Sequence, residues 1–320
     1  MSSHRIGQLE QKLSDFERDI RKQEDLACGY QKELNALREQ FVDIVAAKSY
    51  QQQIADSNKA SDDAILEIWK RMAYNINTMA TSLLTHCPPK EYLQIQCRHY
   101  PSPLLLWMSH QYHLFEDENT RSAIVEHYIW RSIDCRMFGN SRYEEQSAAW
   151  GGVSGIQVWF LCRELSLRLS IQDVPDFCSW RSQGAAIVES LVGRQDQELT
   201  MLITADHCSL SLLLSPSDDS RARILYEELS NIYKDALDLH AIFMKSKAIF
   251  CIEWVQLTGL CQGEVPYDPN LMEAEAWTWV PDVNSVVISD ISPGLRKFGT
   301  ADGASFDQQI LLVKPKVICN

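Results

Sequence analysis

Residues 6–44 read IGQLEQKLSDFERDIRKQEDLACGYQKELNALREQFVDI, and apolar side chains recur there at alternating spacings of three and four. The recurring positions are Ile6, Leu9, Leu13, Phe16, Ile20, Gln23, Ala27, Tyr30, Leu34, Leu37, Phe41 and Ile44. A 3.5-residue repeat keeps one seam facing a partner helix, as a left-handed coiled coil requires. We therefore predict a coiled coil over residues 1–48 through which the chain oligomerises.

The centre of this seam is its weakest part. Gln23 is the polar member of the seam, Ala27 is small, and Gly29 costs a helix about 1 kcal/mol relative to alanine. The seam therefore suits pairing with a second copy or with another coiled-coil protein. A helix that folds back on the rest of the chain is the alternative, but the charged outer face leaves only a narrow apolar stripe.

The heptads stop after Lys48, and the polar residues 49–60 are predicted to be a linker. Ser61 followed by Asp62 and Asp63 is typical of a helix N-terminus, where a hydroxyl caps the first turn and acids oppose the helix dipole. Apolar residues follow at helical spacing, namely Ile65, Ile68, Trp69, Met72, Ile76, Met79 and Leu83. We predict a helix here that ends before Pro88.

Helical spacing also predicts helices over 120–138, 153–169 and 175–192, and a long helix from a cap at 217–218 towards Phe250. Near the end of the chain, 286–288 and 310–313 have the composition of short strands on either side of the tight-turn sequence 299–303. The expected fold class is mainly α: an N-terminal coiled-coil helix, then a multi-helix domain over 61–320 with a small C-terminal β-hairpin.

Several pieces of the chain resemble uncharacterised helical proteins of filamentous fungi. They are residues 86–138, the sequence SPGLRKFG at 292–299, DG at 302–303 and FDQ at 306–308. The resemblance implies a fungal protein with a helical fold. It implies nothing about chemistry, because the family has no function to carry over.

The overall charge disfavours several classes of partner. The 320 residues include 30 Lys and Arg against 43 Asp and Glu, a net charge of -13. This sign is opposite to that of a surface that binds nucleic acid or anionic lipid directly. The sequence also contains no apolar run of about 20 residues that would suit a membrane-spanning helix.

The cysteines and the first residues suggest a cellular location. Residues 1–5, MSSHR, lead into the heptads without the apolar segment of a secretory signal. The ten cysteines form no CxxC pair, and no Asn-x-Ser/Thr acceptor occurs. We expect reduced thiols and a protein that resides in the cytoplasm or the nucleus.

Two cysteines and four histidines gather in one segment: His86, Cys87, Cys97, His99, His110 and His113. Thiolate and imidazole are zinc ligands, and Cys87, Cys97 and His99 are the candidates for such a site. Compact zinc sites bring ligand pairs together across about two to four residues, whereas nine separate the two cysteines here. A proline-rich connector with buried thiols is the competing interpretation, and the sequence leaves both open.

The remaining motifs have structural interpretations. Residues 151–155 match no phosphate-binding pattern and are interpreted as a helix-entry loop. Residues 206–209, DHCS, point in different directions on a helix and do not form a triad. Trp130, Trp159 and Trp254 are interpreted as core anchors. Trp277 and Trp279, near Pro281 in an acidic stretch, are candidates for a peptide-docking spot. No catalytic residue or cofactor is predicted.

These features favour a non-enzymatic interaction or regulatory protein that oligomerises through its coiled coil. One alternative is a dimeric transcriptional co-regulator that resembles a leucine-zipper protein without a basic region, since only His4 and Arg5 precede the heptads as basic residues. The other alternative is a helical enzyme whose site is spread over several helices and is not readable from the sequence.

Overall fold

The computed structural model describes residues 60–99, 112–139, 148–166, 168–214, 219–255, 265–275, 281–282 and 284–319. The predicted coiled coil, with all its seam residues from Ile6 to Ile44, lies outside the described residues, as does the predicted linker up to residue 59. The described part is mainly helical with a C-terminal β region, and this confirms the coarse fold class.

The described helices are α1 (Asp62–Thr78), α2 (Lys90–His99), α3 (Tyr112–Glu116), α4 (Glu118–Ile133), α5 (Gly152–Ser166), α6 (Val174–Leu191), α7 (Asp196–Leu210) and α8 (Asp219–Lys245). Turns of π-helix extend α1 through Met79–Leu83 and α4 through Asp134–Phe138. Short 3-10 turns at Ile171–Asp173 and Ser211–Leu213 precede α6 and follow α7.

Helix α1 begins where the sequence predicts. The Ser61 hydroxyl accepts a hydrogen bond from the Ala64 N–H at 3.2 Å, so it caps one of the free amides of the first turn. Its buried residues are Ile65, Trp69, Met72 and Ile76, which lie on one helical face. This face packs against α8, and Trp69 stacks on Trp130 of α4 at 4.9 Å between ring centroids.

Helix α8 lies at the centre of the core and contacts α1, α6 and α7. Leu225, Leu229, Ile232 and Leu239 are fully buried on it. The prediction that this helix continues to Phe250 is wrong, because the helix ends at Lys245 and Phe250 belongs to a strand. Apolar residues continue past the helix end, and their spacing alone does not mark the change to extended backbone.

The β region contains β1 (Ile249–Glu253), β2 (Val265–Pro266), β3 (Glu273–Glu275), β4 (Val286–Ser292), β5 (Gly294–Phe298), β6 (Gln309–Val313) and β7 (Lys316–Cys319). One sheet has the order β1-β5-β6 and the other the order β2-β4-β7-β3. All the pairs are antiparallel except β3 with β7.

The predicted hairpin is therefore wrong in its pairing. The strands expected at 286–288 and 310–313 exist as parts of β4 and β6, but they lie in different sheets. The predicted turn contains Gly299 and Gly303 at φ of +77° and +81°, and it joins β5 to β6. Strand β5 was missed because its residues, GLRKF, do not alternate between apolar and polar.

Two ion pairs join α1 to segments that are far from it in the sequence. Arg71 on α1 donates to both carboxylate oxygens of Asp235 on α8, at 2.6 and 3.0 Å. Lys297 of β5 is 6% exposed, and its Nζ lies 2.6 Å from Oδ1 of Asp62 at the start of α1. A buried ammonium requires such a partner, so this contact fixes the register of β5 against the helical core.

Candidate functional site

A cleft of about 340 Å³ lies between the helical core and strand β1. Its lining comes from the end of the π-helical turn after α4 and from α5, α6, α8 and β1. Pockets for small ligands span roughly 300–1,000 Å³, so this cleft has room for a small molecule.

Aromatic rings form much of the apolar lining. Phe243 and Phe250 are stacked with 4.6 Å between ring centroids and an interplanar angle of 13°. Phe138 lies 5.7 Å from Phe243, and Trp159 and Phe177 also line the cleft. Such aromatic side chains suit contact with an apolar or aromatic group.

Gly139 sets how closely the chain approaches Trp159. Its φ is +71°, in the left-handed region, and its N–H closes the preceding turn by donating to the carbonyl of Asp134 at 2.9 Å. A Cβ added at Gly139 would lie 2.2 Å from Cζ2 of Trp159. Only glycine combines this backbone conformation with the position of the indole ring.

Arg163 and Arg181 are the two charged side chains of the lining. The lining also contains a histidine, His240, which is neutral. Nη2 of Arg181 donates to the carbonyls of Ser246 and Ala248 at 2.8 and 2.7 Å. The Arg163 guanidinium lies 5.5 Å from the ring centroid of Trp159, a cation–π distance. In the part of the chain that the structure describes, neither arginine forms an ion pair with a carboxylate.

Burial keeps the other titratable groups of the cleft neutral. His240 on α8 is 5% exposed and lies against Trp150 and Phe138, and burial lowers its pKa to about 4. Burial raises the pKa of the Cys162 thiol on α5 to about 11, an effect that the Arg181 charge opposes. At pH 7 the imidazole is therefore unprotonated and the thiol is protonated.

A second polar centre lies inside the helical core, around Asp206 of α7. The Asp206 carboxylate is 1% exposed and accepts hydrogen bonds from Ser132 at 2.7 Å, Arg136 at 2.8 Å and Tyr128 at 3.3 Å, and also from Tyr233. Burial, and then the Asp206 charge, raise the pKa of Tyr233 well above its usual value. The network holds α4, α7 and α8 together.

A third polar cluster joins α4 to the larger sheet. The Arg131 guanidinium stacks over Trp254 at 3.7 Å from the ring centroid and lies 3.7 Å from Oδ2 of Asp290 on β4. Nδ1 of His127 lies 2.8 Å from the backbone carbonyl of Asp290. Burial raises the pKa of Asp290 to about 6 and lowers the pKa of His127 to about 4.

Of the three predicted zinc candidates, only Cys87 has its side chain in the described part of the structure, so the zinc site stays a prediction. Cys87 packs near the Tyr112 hydroxyl, with 3.9 Å between Sγ and Oη, and His113 is exposed. Cys97 and His99 lie on α2, and their side chains fall outside the described part of the structure, as does His110. Within the described ranges, no group of three or more His, Cys, Asp or Glu side chains is placed to hold a metal ion.

The glycines at 151–155 have a packing role. Gly151 and Gly152 have φ of +69° and +56° at the start of α5, and a Cβ at Gly155 would lie 2.0 Å from the carbonyl oxygen of Trp150. These positions require glycine for backbone reasons, as the helix-entry interpretation expects.

Residues 206–209 point apart on α7. Asp206 is buried in the core network, Nε2 of His207 lies 2.9 Å from the carbonyl of Ala222, and Cys208 is exposed. Trp277 and Trp279 lie outside the described residues, so the docking-spot prediction stays a prediction.

Sequence reasoning missed the aromatic cleft. Trp159 was expected to anchor the core, as Trp130 does, but it packs against the core only partly buried and also lines the cleft. Trp254, the third expected anchor, directly follows β1 and is likewise partly buried against the core. The available signal was the presence of Arg163 and Arg181 among the apolar residues of two predicted helices.

No described helix is both long and apolar enough to cross a bilayer. The chain matches no family model, no curated protein and no solved structure.

Proposed function

We propose that the protein is a non-enzymatic interaction or regulatory protein. A coiled coil over residues 1–48 joins two or more chains, and the helical body binds a ligand in the aromatic cleft. The observation that carries the proposal is the combination in one cleft of stacked aromatic rings with Arg163 and Arg181, neither of which pairs with a described carboxylate. An apolar cleft with a small number of convergent polar groups is typical of a ligand-binding site.

The protonation states in the cleft support binding over catalysis. An effective general base has a pKa near the working pH, whereas burial lowers the pKa of His240 to about 4. A nucleophilic thiol needs a lowered pKa, whereas burial raises the pKa of Cys162 to about 11. At pH 7 these two groups neither accept nor donate a proton readily.

The heptad pattern supports the oligomerisation part of the proposal. The seam is apolar at its two ends and weak around Gln23, Ala27 and Gly29. A weak centre makes pairing less favourable, so the paired helices separate more easily and can exchange partners. The proposed partner is a second copy of the chain or another coiled-coil protein.

The test of oligomerisation is the molar mass of the full-length protein by light scattering. We expect a dimer or a higher oligomer, and we expect the double variant Leu13→Asn with Leu34→Asn to be monomeric because two seam contacts are lost. The matched control changes the outer face, Gln11→Asn with Lys32→Asn, and should keep the wild-type mass. A monomeric wild type, or equal masses for the two double variants, would contradict self-pairing through the seam.

A further inference from the structure

We infer that the ligand of the cleft is a small organic anion with a flat apolar body, of the class of aromatic carboxylates and sulfonates. This inference rests on the proposed function, because it names the ligand of the same cleft.

The charge of the cleft is the first argument. The chain as a whole carries a net charge of -13, yet the charged side chains of the lining are two arginines and include no carboxylate. The Arg181 charge also acts on the thiols of Cys162, Cys178 and Cys251, which burial keeps protonated and therefore neutral. The cleft thus has a positive charge that no described side chain neutralises, and an anionic ligand would supply the missing charge.

The two arginines have complementary positions. Two backbone carbonyls hold Arg181 in place, and its Nε has no hydrogen-bond partner among the described residues. Arg163 is partly exposed and its guanidinium lies over the Trp159 ring, so it is able to reorient towards a ligand. Guanidinium groups bind carboxylates with paired hydrogen bonds, and Arg163 is the residue placed to do so here.

The aromatic lining favours an aromatic body for the ligand. Phe138, Trp159, Phe177, Phe243 and Phe250 all line the cleft. A planar ring is attracted to such surfaces through stacking and burial of apolar area. The volume of about 340 Å³ limits the ligand to a small molecule.

The experiment compares two fluorescent probes that share nearly the same aromatic body and differ in charge. One is 8-anilinonaphthalene-1-sulfonate, an anion, and the other is N-phenyl-1-naphthylamine, which is neutral. Both are titrated into the full-length protein at low and high salt. We expect one site per chain, with the anion bound roughly tenfold more tightly than the neutral probe because of one charge-assisted contact, a difference of about 1.4 kcal/mol. The preference should shrink as salt screens the charges.

Three variants separate the cleft from the rest of the surface. Arg163→Gln should weaken binding of the sulfonate roughly tenfold and leave the neutral probe unchanged, because only the charged contact is removed. Arg168→Gln changes an exposed arginine near the end of α5 that does not line the cleft, and should change neither affinity. Leu161→Gln removes a 47% exposed apolar residue of α5 outside the lining, and should also leave both affinities unchanged. Circular dichroism checks that each variant is folded.

The outcomes are distinguishable. Equal affinities for the two probes, both unaffected by Arg163→Gln, would overturn the anion inference and leave the cleft a neutral ligand site. Sulfonate binding that is lost in Leu161→Gln but retained in Arg163→Gln would locate the probe on the exposed apolar surface, and would overturn it as well. If neither probe binds, both the anion inference and the ligand-binding part of the proposed function are wrong. The coiled-coil part is tested separately by the mass of the oligomer.

Discussion

Replacing Asp206 with asparagine tests how strongly the buried polar network stabilises the helical core. The carboxylate accepts from Ser132, Tyr128 and Tyr233 and pairs with Arg136 at 2.8 Å, while being 1% exposed. Asparagine keeps the shape and one acceptor oxygen but presents an NH2 group where the carboxylate accepted hydrogen bonds. The guanidinium of Arg136, with 21% of its side chain exposed, then lacks its counter-charge.

The expected loss is large for one isosteric change. Removing one partner of a buried ion pair costs about 3–5 kcal/mol, because the other charge stays buried without compensation. The retained oxygen and the partial exposure of Arg136 place the expectation near the lower end, about 3 kcal/mol. For a domain of this size that corresponds to a fall in Tm of roughly 10 °C.

The assay is thermal and urea unfolding followed by tryptophan fluorescence, with Glu227→Gln as the control. Glu227 pairs with Arg223 on the exposed face of α8, where 64% and 83% of the two side chains are accessible. Loss of such an exposed pair costs no more than about 0.5 kcal/mol. A loss below about 1 kcal/mol in Asp206→Asn would refute the view that this network is a principal stabilising contact of the core.

Three further variants test the effect of pH and the constraints on the backbone. Burial raises the pKa of Asp290 to about 6 from 3.8, so the folded protein holds this proton more tightly than the unfolded chain. The free energy of unfolding therefore falls by about 3 kcal/mol as the pH rises from 4 to 7. Asp290→Asn should be more stable than wild type at pH 7 but not at pH 4. Folding lowers the pKa of His127, which has the opposite effect on stability, but this effect is common to both proteins and cancels in the difference of their Tm values. A difference independent of pH would contradict this assignment. Gly139→Ala should cost about 2 kcal/mol or more, because its Cβ meets Trp159. Gly184→Ala on α6, where a Cβ has no neighbour within 4 Å, should gain up to about 1 kcal/mol. Equal urea midpoints for the two alanine variants would show that Gly139 is not constrained.

Local signals in the sequence predicted α1, α4, α5 and α6 to within a few residues, whereas α2, α3 and α7 were not predicted. Ser61 caps α1 as expected, because a cap and an amphipathic period depend on neighbours within a few residues. The end of α8 was misplaced because Ile249 and Phe250 continue its apolar pattern while pairing with β5. Strand pairing depends on distant segments, so the sequence identified parts of β4 and β6 but joined them wrongly.

The cleft was beyond sequence reasoning for a similar reason. Phe138, Trp159, Arg181 and Phe250 come from four elements, and only the packing of α8 against its neighbours brings them together. Each residue alone has an ordinary interpretation as a core aromatic or an exposed cation. They form a cleft only through tertiary contacts, which the hydrophobic periodicity of a single segment does not reveal.

The contact between Asp62 and Lys297 has a consequence for how the protein is made. The two residues are separated by 235 positions, so the start of α1 leaves the ribosome long before its partner strand exists. At about 5–20 residues per second, the delay is on the order of tens of seconds. The apolar face of α1, with Trp69 and Met72, packs chiefly against α8, which begins only at Asp219, so this face too is made well before its main partner. Nascent chains of this protein are therefore expected to depend on chaperones that shield an early amphipathic helix until α8 emerges.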